Sequence, residues 1–169
     1  MKILVNRSSA LVGIMLFAVL VQLFLAQVSQ ATMRMPAFSL QEVVEGKKVT
    51  SEEFKGKTLL VTFFATWCPP CRQEIPSLIK LHEKYGAKNF SVLAFSIDQG
   101  GAKVVSRLVR QEKVNYPVLM SDQETVSGFG GIAGVPTSFL VNEKGNVVKS
   151  YVGYVSHGVL AHDIELILP

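Results

Sequence analysis

The sequence of 169 residues has little excess charge, no internal repeat and no low-complexity stretch, and it contains only two cysteines. A formal net charge of +4 gives no reason to expect nucleic acid as a partner. A structural zinc site needs four ligands. Besides the cysteines, the sequence offers only three soft ligands, placed on a helix body and near the C-terminus: His82, His157 and His162. We therefore expect no metal site.

The N-terminal residues have the pattern of an export signal. Lys2 and Arg7 precede an apolar run over residues 10–26, and small residues lead up to a cut after Ala31. The length of the run is near the minimum for a helix that spans a bilayer, so a retained membrane anchor is the alternative. We predict that residues 1–31 are a signal peptide or an uncleaved anchor, and that residues 32–169 form one exported domain. Contact with the membrane is expected only if the segment is retained.

Apolar patterns along the rest of the chain predict an α/β fold, with a mixed sheet and helices on both faces. Two apolar, β-prone runs at 58–65 and 90–97 indicate strands that are covered on both sides. A turn at 143–146 predicts a hairpin. The other strands are expected at 38–41, 49–50, 118–120, 137–142 and 147–152, the helices at 70–85, 101–112 and 157–168, and short helical turns at 50–54 and 124–129. Gly86 is expected just past the end of the first helix, and the second helix is expected to face inward with Val104, Val105, Leu108 and Val109.

Both cysteines lie in the sequence Trp67-Cys68-Pro69-Pro70-Cys71, where a predicted strand meets a predicted helix. A C-x-x-C disulfide closes a very short loop and constrains little of the unfolded chain, so the spacing favours redox chemistry over a structural staple. A helix N-terminus carries partial positive charge and free N–H groups, and both favour a thiolate. We predict that Cys68 attacks, with a pKa below the ordinary value of about 8.5, and that Cys71 resolves the mixed disulfide.

These features resemble thioredoxin and, more closely, the exported TlpA/ResA/CcmG-like branch of that family. The resemblance covers residues 36–168. It is carried by residues 63–71, Glu74-Ile75-Pro76, the insert between 95 and 118, and residues 134–142. It implies a thioredoxin-like fold, with a mixed central sheet flanked by helices, an N-terminal strand extension and a central helix-containing insert.

The resemblance also implies site residues beyond the cysteines. Pro136 matches the family's cis-proline and leaves the backbone of Val135 free to pair with a substrate strand. Trp67 is expected to be an exposed apolar contact beside the nucleophile. Glu74 shares a helical face with Cys71 and matches the segment that places an active-site glutamate in ResA-like proteins. The alternative for Glu74 is a solvated helix carboxylate.

One departure from thioredoxin bears on the proton acceptor. Thioredoxin has a buried aspartate six residues before its first cysteine, and this sequence has Thr62 there. Because a threonine cannot act as a base at neutral pH, Glu74 or a water is left to take the proton from Cys71. Asp98 and Asp122 are interpreted as turn and cap residues, since aspartate favours such positions.

The resemblance implies a thiol–disulfide oxidoreductase that reduces disulfides of partner proteins in the periplasm or at the outer face of the cytoplasmic membrane. The branch's typical partners are apocytochrome c or copper-site assembly proteins, and a membrane thiol reductant of the DsbD/CcdA type supplies electrons. No cofactor beyond the Cys68–Cys71 disulfide is expected. Two alternatives are a peroxide reductase, disfavoured by Ala65 where peroxiredoxins have threonine or serine, and a copper-binding chaperone, disfavoured by the two-residue spacing.

Overall fold

The structure is a computed structural model that describes residues 33–168. The predicted signal or anchor, residues 1–31, lies outside the described residues, so that assignment stays a prediction. Within the described range, no helix has both the length and the apolar character that a membrane crossing requires.

A five-stranded mixed sheet forms the centre of the domain. Its strands are β3 (Thr58–Phe64), β4 (Phe90–Ser96), β5 (Val118–Met120), β6 (Thr137–Val141) and β7 (Val147–Val152), in the spatial order β5-β4-β3-β6-β7. Strands β3, β4 and β5 run parallel, while β6 and β7 are antiparallel to their neighbours. Every residue of β3 and β4 is buried, as their continuous apolar runs predict for strands that are covered on both faces.

The predicted N-terminal strand extension is a separate two-stranded ribbon, β1 (Ser39–Gln41) paired with β2 (Lys48–Thr50). It is joined to the main sheet at β5, where the Val43 N–H donates to the carbonyl oxygen of Val118 at 3.0 Å. Its apolar side chains help to cover one face of the sheet together with an aromatic cluster. The rings of that cluster make mostly edge-to-face pairs, a geometry that adds about 0.5–1.5 kcal/mol per pair beyond area burial. The cluster consists of Phe38, Phe54, Phe63, Phe95, Phe129 and Phe139.

Helices cover the opposite face. They are α1 (Pro69–Tyr85), α2 (Ala102–Gln111) and α4 (His157–Ile167), and the short α3 (Gln123–Gly128) precedes Phe129 on the aromatic side. The element boundaries agree with the sequence prediction to within one residue at each end. The predicted central insert is confirmed, since α2 lies between β4 and β5.

One local prediction is wrong. Val104 was expected to face inward but is 40% exposed, because α2 turns its buried side toward the sheet through Val105, Leu108 and Val109. The predicted end of α1 is confirmed, since Gly86 is its C-cap residue. Gly86 is right-handed, at φ −54°, and the chain continues into a short 3-10 turn that ends at left-handed Asn89, at φ +58°.

Candidate active site

The cysteine pair lies where β3 gives way to α1. Cys68 is the N-cap residue of α1, and it forms a disulfide with Cys71 in the first turn. The backbone N–H of Cys71 donates to the Cys68 sulfur, with N and Sγ 3.3 Å apart. Pro69 and Pro70 occupy the first helical positions, where a missing N–H leaves no helical hydrogen bond unmade. A thiolate on Cys68 would therefore meet both the N–H of Cys71 and the positive end of the helix dipole.

Cys68 is almost completely buried. Its predicted position at the mouth of a helix is confirmed, but only 3% of the residue is exposed in the disulfide form. The neighbouring loop is the reason, because the carbonyl oxygen of Val135 lies 3.5 Å from the Cys68 sulfur. The Val135–Pro136 peptide bond is cis, as the resemblance implies. Val135 and Pro136 thus lie directly beside the attacking sulfur.

Glu74 lies one turn beyond Cys71, and the structure excludes the solvated alternative. The residue is only 2% exposed. Its Oε1 accepts a hydrogen bond from the backbone N–H of Val155 at 2.9 Å. Burial raises the pKa of Glu74 above the ordinary value of 4.5, and the hydrogen bond from Val155 partly opposes that rise. A carboxyl group with a raised pKa is well suited to exchange protons near neutral pH.

A small cavity of about 10 Å³ joins Cys71 and Glu74. That volume is at the lower limit of the space one water requires. Tyr116 also lines the cavity, and burial together with the nearby Glu74 carboxylate raises the pKa of Tyr116. Thr62 lines it as well and accepts a hydrogen bond from the Ser138 hydroxyl at 2.9 Å. Among the described residues, Glu74 and Tyr116 are the acid–base groups that line this cavity with Cys71. Because the pKa of Tyr116 is raised above its already high ordinary value, Glu74 is the group suited to accept a proton near neutral pH.

Trp67 projects into solvent immediately before the attacking cysteine, and 67% of it is exposed. Two open grooves flank it. Both are lined by Thr66 and Trp67; one continues along Pro69, Arg72, Gln73 and Glu112, and the other along Ile97, Asp98, Gln99, Gly100 and Val104. The exposure predicted for Trp67 is confirmed, and the side chain is free to contact a partner on either side.

Asp98 has a structural role that sequence reasoning understated. It was interpreted as a turn residue, but it is buried and its carboxylate accepts three hydrogen bonds. Thr66 donates its N–H at 2.9 Å and its hydroxyl at 2.5 Å, and the Ser96 hydroxyl donates at 2.8 Å. Asp98 therefore fixes the turn that carries Trp67 and Cys68. The sequence signal for this role was the position of Asp98, two residues after a predicted buried strand. In a parallel sheet that position lies at the same edge as the end of the strand before Cys68.

Three further observations complete the description. Asp122 is confirmed as a cap, since its Oδ1 accepts the Thr125 N–H at 2.7 Å at the start of α3. Val155, which holds Glu74, acts through its backbone, so no side-chain pattern could have identified it. Within residues 33–168, no group of three or more His, Cys, Asp or Glu side chains is arranged to hold a metal ion.

Comparison with known proteins gives consistent matches over nearly all of the described chain. The sequence model of the family described as Redoxin matches residues 30–165. The thiol-disulfide oxidoreductase ResA of Bacillus thuringiensis (strain Al Hakam) is 32% identical over 126 residues, which are 75% of this chain and 72% of the relative. ResA of Bacillus subtilis (strain 168) is 28% identical over 135 residues, 79% of this chain and 74% of the relative.

Solved structures agree with the sequence matches. The crystal structure of a thiol:disulfide interchange protein of the thioredoxin family from Chlorobium tepidum TLS superimposes with a TM-score of 0.76 at 32% identity. The match covers 84% of this chain and 100% of that one.

Proposed function

This chain belongs to the Redoxin family and is a thiol–disulfide oxidoreductase of the ResA type, and we propose that it reduces disulfides of partner proteins on the exported side of a membrane. The observation that carries the proposal is the Cys68–Cys71 disulfide at the N-terminus of α1, with the buried Glu74 carboxyl one turn behind it. This arrangement supplies an ionisable attacking sulfur, a resolving sulfur and a proton acceptor in one helix.

The reaction starts from the dithiol form. The Cys68 thiolate attacks one sulfur of the partner disulfide, so that a mixed disulfide forms and the second partner sulfur leaves as a thiolate. The Cys71 thiolate then attacks the Cys68 sulfur, which releases the first partner sulfur and closes the Cys68–Cys71 disulfide. The two electrons of the enzyme dithiol pass to the partner. Cys68 has lost its proton to solvent before the attack, and Cys71 loses its proton to a base in the second step. The two partner thiolates take up two protons, so that the sum of the steps is dithiol plus disulfide giving disulfide plus dithiol.

Glu74 is proposed to accept the proton of Cys71 during the second step. Cys71 is buried at the helix start, and a buried thiol loses its proton reluctantly unless a base is close. Glu74 faces the same cavity, and its carboxylate is destabilised by burial. Burial thus makes Glu74 a better base than an exposed glutamate, because the charged form gains more from taking up a proton.

Partner docking is proposed to use the backbone of Val135 together with the side chain of Trp67. Val135 precedes a proline that has no N–H, beside the attacking sulfur, so an extended partner segment can pair with the Val135 backbone as an added strand. Because Cys68 is nearly covered, the partner must present its disulfide on a slender segment and not on a flat surface. Trp67 offers apolar contact area at the edge of that approach.

The proposed cellular setting is the exported side of the cytoplasmic membrane. Export is supported by the leader pattern over residues 1–31, and the reducing direction by the TlpA/ResA/CcmG-like resemblance. On that basis we propose that the protein works in the periplasm or at the outer face of the cytoplasmic membrane, with apocytochrome c or copper-site assembly proteins as partners. A membrane thiol reductant of the DsbD/CcdA type would return the enzyme to the dithiol form.

Insulin reduction by the pre-reduced protein tests the core of the proposal. The wild type should reduce insulin disulfides when a dithiol donor is present, and Cys68→Ser should abolish the reaction. If the wild type is inert with fresh donor but binds copper tightly, the protein is a binding module instead. Turnover of hydrogen peroxide at a rate far above that of insulin would favour the peroxide-reductase alternative.

A trapping experiment tests direction and partners. Cys71→Ser cannot resolve the mixed disulfide, so it should accumulate covalent adducts in cells, which mass spectrometry identifies. In the reducing role, the wild-type Cys68–Cys71 pair should be mostly dithiol in growing cells and become disulfide when the membrane thiol reductant is deleted. A pair that stays oxidised in both strains would contradict the reducing direction.

A further inference from the structure

The connection between β7 and α4, residues 153–156, contacts both parts of the active site through its backbone. At its start, the Gly153 N–H donates to the carbonyl oxygen of Pro136 at 2.8 Å. Two residues later, the Val155 N–H donates to Oε1 of Glu74 at 2.9 Å. One short segment is therefore hydrogen-bonded to the substrate-binding loop and to the proposed proton acceptor.

Both ends of the 153–156 segment have defined contacts. Gly153 is in the left-handed region, at φ +83°, and Ser156 is the N-cap residue of α4. Just beyond, Nδ1 of His157 lies 3.0 Å from Oγ of Ser77, which braces the start of α4 against α1. Only two peptide units separate the two donor N–H groups, so they are at most about 7 Å apart along the chain. The two donors are thus close enough along the chain for a shift of one to reach the other.

We propose that the 153–156 segment positions the Glu74 carboxylate toward Cys71 and ties that position to the substrate-binding loop at Pro136. Gly153 and Val155 are positioning residues that act through their N–H groups. The inference rests on the proposed function, in which Glu74 accepts the proton of Cys71. It adds to that function a route by which partner binding reaches the proton acceptor.

The physical basis is the sensitivity of a buried carboxylate to a single donor. An unpaired buried charge is strongly unfavourable, and a hydrogen bond to a charged group is stronger than one between neutral groups. The Val155 N–H opposes the effect of burial on the Glu74 pKa. The other titratable groups that line the cavity with Glu74 are Cys71 and Tyr116, and His157 contacts Ser77 three residues further along α1. A partner strand that pairs with Val135 and shifts Pro136 would move the Val155 N–H through Gly153.

An amide-to-ester exchange at residue 155 tests the direct contact. Incorporating the α-hydroxy acid of valine replaces the N–H by an oxygen and keeps the side chain. We expect the single-turnover release of a peptide thiol to lose rate at pH 7 by about fivefold or more, and its pH profile to move to higher pH. The matched control is an ester at residue 145, which removes the 2.8 Å hydrogen bond from the Gly145 N–H to Asn142 in the distant β6–β7 turn.

An ester at residue 153 tests the link to the substrate-binding loop. The readout is the pH titration of the NMR resonance of the Glu74 carboxyl carbon, measured in the Cys71→Ser protein. The protein is titrated free and with Cys68 disulfide-linked to a peptide. The peptide has ten residues, one cysteine among alanines and serines. We expect the peptide to move the titration midpoint of Glu74 when residue 153 has its amide. The ester at 153 should abolish most of that movement, while the ester at 145 should leave it intact.

The outcomes separate the inference from the function beneath it. If the pH–rate profiles of the 155 ester and the 145 ester superimpose, the positioning role is overturned, even when the enzyme reduces insulin normally. An unmodified protein that releases no peptide thiol would overturn the proposed function, whatever the Glu74 resonance does. If the 153 ester does not fold, Gly153→Ala replaces it, because alanine keeps the N–H but disfavours φ +83° and should displace that N–H from Pro136. Its matched control is Gly56→Ala, which has the same left-handed strain, at φ +76°, and the same open surroundings at the far end of β3.

Discussion

Thr66 gives both its backbone N–H and its hydroxyl to the carboxylate of Asp98, at 2.9 and 2.5 Å. Thr66 and Asp98 each lie two residues after the end of a strand, β3 and β4 respectively. These strands are parallel neighbours whose last residues, Phe64 and Ser96, are in register, so the two turns lie side by side. One buried side chain thus joins the turn before Cys68 to the adjacent β4–α2 connection. The attacking sulfur is held in place by an interaction remote from it in sequence.

Asp98→Ala should destabilise the protein and loosen the active-site turn. The substitution leaves the Thr66 N–H and two hydroxyls without their acceptor, so we expect a loss of about 2–4 kcal/mol in the free energy of unfolding and a slower reaction with insulin. Asp122→Ala is the matched control, since it removes a helix cap worth about 1 kcal/mol and lies away from the cysteines. Denaturant unfolding measures both. Equal losses in the two variants would contradict the role given to Asp98.

Cys68 should titrate below the ordinary cysteine value of about 8.5 in the reduced protein. The N–H of residue 71 and the dipole of α1 both favour the thiolate. Ultraviolet absorbance of the thiolate is the suitable measurement, because it does not require a reagent to reach a sulfur that is nearly covered. Cys71→Ser keeps the donor N–H and isolates Cys68, and Cys68→Ser isolates the other thiol. A Cys68 midpoint at or above that of a free thiol would refute the activation.

The elements of this fold were predictable because each depends on local pattern. The apolar runs of β3 and β4, the turn at 143–146 and the helix that starts behind Cys68 are all visible within a few residues. The same is true of the redox pair, whose spacing alone favours chemistry over a staple. The three-residue spacing of Cys71 and Glu74 also indicated that they share one face of the helix.

What could not be predicted depends on contacts between distant parts of the chain. The burial of Cys68 results from the Val135 carbonyl, which is 67 residues away in sequence, and the donor to Glu74 is 81 residues away. Asp98 reaches Thr66 only because two strands run parallel. The exposure of Val104 shows the same limit at the level of one helix, since a stretch of adjacent apolar residues does not reveal which of them faces the sheet.

Trp67→Ala should reduce recognition of proteins without reducing stability. Because the side chain is largely exposed, its removal should change the free energy of unfolding by less than about 0.5 kcal/mol. An exposed aromatic residue that contacts a partner commonly contributes about 1–2 kcal/mol to binding, so KM for insulin should rise roughly five- to thirtyfold. The rate with a small linear disulfide should not change. The control is Val148→Ala at an exposed apolar position on β7, which should change the kinetics with neither substrate. If Trp67→Ala lowers the rate equally with insulin and with the small disulfide, the substitution has damaged the cysteine pair instead.

Glu74→Gln should gain stability relative to wild type as pH rises. Burial holds the pKa of Glu74 above 4.5 in the folded protein, so the folded state binds the proton more tightly than the unfolded state does. Wild-type stability therefore falls as pH increases from the unfolded value through the folded one, by about 1.4 kcal/mol for each pH unit between them. Glutamine stays neutral throughout and keeps an oxygen for the Val155 N–H.

Urea unfolding of both proteins from pH 4 to pH 8 measures this difference. Asp122, Asp163 and Glu165 have lowered pKa values and lose their stabilising contribution as pH falls, but they are common to both proteins and cancel. Glu83→Gln, which removes an exposed carboxyl from the same helix, controls for the loss of one acidic group. In the same variant, resolution by Cys71 should slow at neutral pH because the amide cannot accept a proton. A stability difference that stays constant with pH, together with unchanged resolution, would exclude Glu74 as the proton acceptor.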